Sequence, residues 1–331
     1  MSTSQNHDTF RGDVYDLIEL QQLLMGPHQV IFEGKSPFQD VLLLETKNIR
    51  LYWNDQLVWN SMDERIYHEA LVHPAFVLSD KHERILIIGD ECGLALREAL
   101  KYPNVSHVSL VSLSPAALIA AQKTHEISEI NEGAFYDKRV QIIQSSMHDF
   151  LRAEKQHFDV IIANLPEPKN RALSTMFTKE FFKKLSNLLT NEGILVANSA
   201  SPEDSPLVFW SIDKTIKSAS LQTLSYHVNV PWFGDCGFHL ACKKHLTWNG
   251  EKQPIVHNRS LPENLKTWFV FTQRVMSVKK QAITNSLNSL RLSKYLMNTE
   301  QDPEDTKELR HLLSNSHRLL YEGGNRGDSV K

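Results

Sequence analysis

Apolar and polar positions change their period along this chain, and each change marks an element. Tyr15–Leu24 carries a short helical pattern. Val41–Glu45, Ile49–Trp53 and Gln56–Trp59 read as strands, the last two separated only by Asn54 and Asp55, a link that suits a tight hairpin. Ser61-Met62-Asp63-Glu64 matches a capping box, with Ser61 as cap and Glu64 reaching back. It predicts a helix through Ile66, Ala70 and Leu71 that Pro74 limits. From residue 84 strand and helix alternate. Arg84–Ile88 is an apolar run ending at Gly89, as expected of a strand buried on both faces. A helix over Leu94–Lys101 and a strand over Val108–Leu113 follow, then Ser114-Pro115 starts the next helix. Val140–Ile143, Val160–Ala163 and Ile194–Asn198 are further strands. Before the last of these, Thr178 caps a helix with Phe181, Phe182, Leu185, Leu188 and Leu189 on one face, and Gly193 suits its C-terminal end.

Such alternation predicts a parallel sheet flanked by helices. Thr223–Val230 and Phe238–Cys242, joined by a short loop with Pro and Gly, predict an antiparallel pair at its end. The fold expected is α/β: a Rossmann-like, methyltransferase-type sheet with a terminal antiparallel hairpin, preceded by a small N-terminal β domain. The divisions expected are an N-terminal extension over 1–30, a β-hairpin domain with its linking helix over 31–80, the Rossmann-like domain over 81–247, and a C-terminal extension over 248–331, its tail disordered from about 300.

Composition narrows the function. The chain has 331 residues, enough for roughly two domains, and a formal net charge of −3. No run of Lys and Arg forms a basic stripe, which argues against nucleic acid as a partner. No apolar stretch approaches the ~18 residues that cross a bilayer, and the opening MSTSQNHDTFRGD lacks the apolar core of a signal peptide. Three cysteines, Cys92, Cys236 and Cys242, form no CxxC pair. These features lead us to expect a cytoplasmic protein that binds no membrane.

Several ordered segments carry a resemblance. Ser36-Pro37-Phe38-Gln39-Asp40-Val41 is similar to the SPYQ segment of the polyamine aminopropyltransferases, the spermidine synthase family. Arg65–Pro74 resembles that family's YHE-containing helix. Ile85–Pro103, reading ILIIGDECGLALREALKYP, resembles its first Rossmann strand, glycine-rich turn and helix. Asn164-Leu165-Pro166-Glu167-Pro168 stands where the family has a D-x-P-D-P or D-S-S-D-P catalytic loop. The likeness is strongest to the branch with GGGDGLALRE and DLPDP motifs, many of whose members carry a membrane-spanning region. It covers Ser36 to about Lys243, roughly two-thirds of the chain.

The resemblance implies a reaction in which decarboxylated S-adenosylmethionine, a co-substrate and not a tightly bound cofactor, donates an aminopropyl group to a polyamine or related small amine. Both reactants are cations, so a pocket for them requires carboxylates. The attacking amine must also lose a proton. By position the family's catalytic residues map to Asn164, Glu167 and Tyr67. Donor-binding positions map to Gln39, Gly89, Asp90, Glu91, Cys92, Ser112 and Ser146, and acceptor-side positions to His68, Glu69, Trp232 and Phe233. A homo-oligomer formed through the N-terminal strands is implied as well.

Several expected acids are replaced. Gly89-Asp90-Glu91-Cys92-Gly93 stands for Gly-Gly-Gly-Asp-Gly, so Cys92 replaces the acid and two glycines have become carboxylates. Ser112 replaces the acid that would hold ribose hydroxyls; one hydroxyl cannot match a bidentate carboxylate. Ser146 stands for an adenine-contacting Asp, with Asp149 three residues on. Asn164 replaces the base, with an amide that cannot take up a proton. Two readings follow. In one the acids have moved, and Asp90, Glu91 and Glu167 form a cation site while Tyr67 and Glu69 help to deprotonate the amine. In the other the fold persists as a silent binding, regulatory or scaffold protein. An S-adenosylmethionine methyltransferase is a third option, weakened by the missing acid at Ser112.

Other signals carry less. In His68-Glu69-Ala70-Leu71-Val72-His73 the second histidine is five residues on, so at ~100° per residue the side chains diverge by about 140° and no metal site is expected. His227, His239 and His245 have no ligand spacing and read as strand-surface or hydrogen-bonded histidines. Cys92 sits near a helix start, which would activate a thiol, but Asp90 and Glu91 oppose this and a small buried side chain fits better.

Overall fold

The computed structural model describes residues 14–34, 40–143, 145–248 and 256–299. The chain divides into two compact units, with the boundary between Met62 and Asp63. The first contains helix α1 (Val14–Met25) and an antiparallel sheet in the order β1 (Gln29–Gly34), β2 (Val41–Glu45), β3 (Ile49–Trp53), β4 (Gln56–Asn60). Asn54 and Asp55 both take positive φ, 47° and 63°, which makes the two-residue hairpin predicted from their identity. Leu17 and Leu20 of α1 are buried, and Asp16 Oδ2 accepts the Leu57 N–H at 3.2 Å.

The second unit begins with α2 (Glu64–Leu78), so this helix belongs with the larger sheet and not with the N-terminal strands. Two expectations for α2 fail here. Ser61 does not cap it: the Ser61 hydroxyl accepts the Ile49 N–H at 3.0 Å, the N-cap is Asp63, and Glu64 is taken by the Arg97 guanidinium at 2.8 and 2.9 Å. Pro74 lies inside the helix and does not end it. A proline leaves the carbonyl four residues earlier without its helical donor. That carbonyl belongs to Ala70, and the Tyr226 hydroxyl donates to it at 2.7 Å. A side chain far along the chain thus removes the penalty that made Pro74 look like a stop.

The main sheet has seven strands in the order β10-β11-β9-β8-β5-β6-β7. They are β5 (Arg84–Ile88), β6 (His107–Val111), β7 (Val140–Ile143), β8 (Phe158–Ala163), β9 (Leu189–Ser199), β10 (Gln222–Val230) and β11 (Gly234–Cys242). Strands β5 to β9 are parallel; β11 runs antiparallel to β9, and β10 antiparallel to β11. Ile85–Ile88 and every residue of β8 are buried, matching their continuous apolar runs. Between strands lie α3 (Leu94–Leu100), α4 (Pro115–Lys123), α5 (His125–Ile130), α6 (Met147–Ala153), α7 (Arg171–Ser174), α8 (Lys179–Leu188) and α9 (Pro206–Ser218). Ser114 and Thr178 cap α4 and α8 as predicted, accepting from Ala117 and Phe181 N–H groups. Gly193 sits inside β9, not at the end of α8; a Cβ there would come within 2.9 Å of the Phe158 carbonyl oxygen.

Residues 256–298, within the C-terminal extension, are part of this unit. They include α10 (Gln273–Ser277) and, but for its last residue, α11 (Leu292–Thr299). Val275 and Ala282 join Phe209 and Trp210 in one buried cluster, and the Trp210 indole N–H donates to the Val275 carbonyl at 2.8 Å. The Asn285 amide donates to the carbonyls of Ser174 and Phe177 at 3.1 and 3.0 Å. The tail expected to be disordered from about 300 lies outside the described residues. No helix of the described residues is long and apolar enough to cross a membrane.

Candidate active site

The chain leaves β5 toward β6 on one side of the sheet and later returns to add β8 on the other. This reversal opens a crevice at the C-terminal ends of β5, β6 and β8, where open α/β sheets bind ligands. The turn Gly89–Gly93 follows β5, Ser112 follows β6 and Asn164 follows β8, so the predicted residues converge there. Gly89 has φ +76°, and a Cβ on it would lie 2.0 Å from the Asn164 carbonyl oxygen. Only a glycine allows turn and loop to come this close.

Asp90 and Glu91 do not project as free acids. Asp90 is 3% exposed and holds the start of α3, accepting from Leu94 N–H at 2.9 Å and Leu96 N–H at 2.7 Å. Glu91 is 5% exposed and reaches the end of β6, where its Oε1 accepts from Leu113 N–H (2.7 Å), Ser114 N–H (3.1 Å) and the Ser112 hydroxyl (3.2 Å). Burial raises the pKa of both carboxyls above the ordinary range, against the backbone bonds that lower it. Cys92 is buried, and its carbonyl accepts from the Asn131 amide at 2.9 Å. Beyond Ser112 lies a cavity of about 470 Å³, walled by Leu113, Leu118, Ile119 and Ile143 and rimmed by Ser112 and Ser146. Ser146 also caps α6, accepting from Asp149 N–H at 3.1 Å.

On the other side of the crevice the Tyr67 hydroxyl donates to Asn164 Oδ1 at 2.8 Å. Burial raises the phenol pKa, with Cys236, Glu167 and Asp90 adding to the effect, so Tyr67 stays protonated as a donor. The Cys236 thiol is raised likewise, first by burial and then by the field of Asp235, Glu167, Asp63 and Asp204. Four carboxylates from distant parts of the chain therefore add to the field at that thiol. Asp63 is additionally tied to the β10–β11 turn, where its Oδ2 accepts the Trp232 N–H at 2.8 Å, and Asp235 pairs with His227 at 2.6 Å. Trp232 and Phe233 lie half-buried in that turn.

Comparison with known proteins places the chain in a family with this fold. A family model described as the spermine/spermidine synthase domain matches residues 64–251. A Bacillus cereus protein named polyamine aminopropyltransferase 2 is 41% identical over 286 residues, covering 86% of this chain and 78% of the relative. The chain belongs to the spermine/spermidine synthase family. A polyamine aminopropyltransferase of Oceanobacillus iheyensis is 38% identical over 236 residues, 71% of this chain and 46% of that protein. The spermidine synthase from Thermotoga maritima shares the fold, with a TM-score of 0.65 at 24% identity over 76% of this chain and 88% of that one.

Not every residue that the family likeness marks turns toward the crevice. The Glu69 carboxylate is fully buried and accepts from Arg259 N–H at 2.9 Å, Ser260 N–H at 2.8 Å and the Ser260 hydroxyl at 2.5 Å, clipping residues 259–260 onto α2. It is no partner of Tyr67. The His68 ring is buried with Nδ1 against the Glu64 carbonyl at 2.7 Å. Gln39 lies outside the described residues. Ligand atoms of Glu69, His73 and Glu98 approach within 4.8 Å, the one such trio among the described residues. His73 already bonds Tyr102 and Glu98 through its two ring nitrogens, and Glu98 holds Arg97 and Lys101, so cations of the protein occupy that network. No short motif contains Asp204 or Asp235, and Asp63 stands only in the capping-box pattern, which carries no signal for a site.

Proposed function

We propose that this family member transfers an aminopropyl group from decarboxylated S-adenosylmethionine to a polyamine or related small amine, as a cytoplasmic homo-oligomer. The observation that carries the reading is the Tyr67 hydroxyl bonded to Asn164 Oδ1 at 2.8 Å at the start of the loop that carries Glu167, with the negative charge of Glu167, Asp63, Asp204 and Asp235 acting on the nearby Cys236 thiol. Negative charge gathered at low dielectric raises the local concentration of a polycation and orients it. The cavity beyond Ser112, with apolar walls and a hydroxyl rim, supports the flat uncharged base of a nucleoside. In the reaction the amine lone pair forms a bond to the aminopropyl carbon while the carbon–sulfur bond breaks. The electron pair goes to sulfur, leaving neutral methylthioadenosine, and the amine proton passes to Glu167 or water. Asn164 cannot take that proton, but with Tyr67 fixing Oδ1 it can orient an amine N–H.

A second reading, polyamine binding without turnover, is supported by that same Asn164 and by Asp90 and Glu91 being engaged by backbone amides. Incubating the protein with decarboxylated S-adenosylmethionine and a panel of diamines and polyamines, and quantifying methylthioadenosine, separates the two. Product formation with any amine supports transfer. Amine binding with no product supports the silent reading.

A further inference from the structure

The loop Asn164–Pro168 must stay in place although it has little backbone of its own to hold it. Pro166 and Pro168 supply no N–H, and no helix or strand covers residues 164–169. Asn164 N–H is held by the Ile88 carbonyl at 2.8 Å. The next peptide is held differently. The last paired residues of β8 and β9 are Ala163 and Ala197. One step further, the Asn198 side chain takes over the ladder: its Oδ1 accepts the Leu165 N–H at 2.7 Å and its Nδ2 donates to the Leu165 carbonyl at 2.8 Å. This closed pair of amide bonds also settles which way the Asn198 amide points. Asn198 faces the Tyr67 hydroxyl too, and its backbone partner on β11 is Phe238, whose ring packs 5.4 Å from that of Tyr67.

We propose that Asn198 is a positioning residue for the catalytic loop. It acts through Leu165, holding Asn164 against Tyr67 and, through two φ-restricted prolines, fixing where Glu167 stands. An aliphatic residue here would leave both backbone polar groups of Leu165 without their partner. A carboxylate would keep the bond from Leu165 N–H and lose the one to its carbonyl. The consequence for turnover rests on the proposed aminopropyl transfer; the clamp itself does not.

The test follows Leu165 amide hydrogen exchange by NMR in the full chain, for the native protein, Asn198→Ala and Asn198→Asp, beside methylthioadenosine release. In Asn198→Ala, Leu165 should exchange about 10-fold faster or more, with Ile161 and Val196 within about twofold. Release should fall in kcat by about 10- to 100-fold with the amine KM within about threefold. Asn198→Asp should recover part of both. Unchanged Leu165 exchange in Asn198→Ala overturns the proposal, as does faster exchange spread through the sheet, which would make Asn198 a general support. A raised KM at unchanged kcat overturns it too, making Asn198 a substrate ligand. If the native protein releases no product with any amine, aminopropyl transfer falls, and the exchange of Leu165 alone decides the clamp.

Discussion

The two sides of the crevice, one with two acidic side chains and the other with four, use them differently. On the side of the glycine turn, Asp90 and Glu91 turn inward onto backbone N–H groups of α3 and of the β6 end. On the Tyr67 side, Glu167, Asp63, Asp204 and Asp235 each add to the field at Cys236. The first set satisfies amides that the fold itself leaves open at a helix start and a strand end. In the second set Asp63 accepts the Trp232 N–H, Asp235 pairs with His227 and Glu167 with Lys169, yet their negative charge still bears on the Cys236 thiol, a field that favours a bound cation. Counting carboxylates near a site therefore says little until their hydrogen bonds are known.

The comparison can be broken most severely at the hinge of the two sides. Gly89→Ala should cost about 3 kcal/mol or more, combining a strained positive φ with a Cβ overlapping the Asn164 carbonyl; chemical denaturation measures it, and a loss below 1 kcal/mol would mean the loop moves freely. Next, Asn164→Asp supplies a base beside Tyr67 and should raise methylthioadenosine release about 10-fold or more. No rise would place the limiting step on the donor side. Glu167→Gln should weaken spermidine binding about 10-fold in calorimetry while stability changes by less than about 0.5 kcal/mol. Asp90→Ala should do the reverse, costing about 1 kcal/mol of stability through the lost cap and leaving spermidine affinity within about twofold. If Asp90→Ala instead weakens the amine more than Glu167→Gln, the two sides have been assigned the wrong way round. The smallest effect expected is none: because burial holds the Tyr67 phenol above its ordinary value, its proton is kept throughout pH 6 to 9, and the pH profile of release should show no limb from it. A limb near 8 that Tyr67→Phe abolishes would contradict this.

Much of the fold was legible in the residues. The buried runs of β5 and β8, the Asn54-Asp55 turn and the Ser114 and Thr178 caps follow from local chemistry that needs no distant partner. The failures share one cause. Pro74 looks like a stop because its penalty is local, whereas its relief, the Tyr226 hydroxyl on the Ala70 carbonyl, comes from 156 residues away in sequence. The family motif maps Glu69 to the acceptor side, but Arg259 and Ser260 claim its carboxylate. In the site, Asn164, Tyr67, Ser112 and Ser146 were found at the crevice because motif spacing places residues at strand ends. Their hydrogen-bond partners were not found, since spacing carries no information on side-chain direction.

By itself the sequence did not show β1, α6 or α9, but it determined most of the strands, the parallel sheet with its closing hairpin, and the positions where turn and loop meet at the β5, β6 and β8 ends. Those follow from periodicity, caps and glycine, which act within a few residues. Tertiary structure alone decided which carboxylates were spent on backbone and which gathered around Tyr67 and Cys236, and that Asn198 holds the loop. Such outcomes depend on which buried polar groups meet across the fold, because each must find a partner at hydrogen-bond distance wherever the chain brings one.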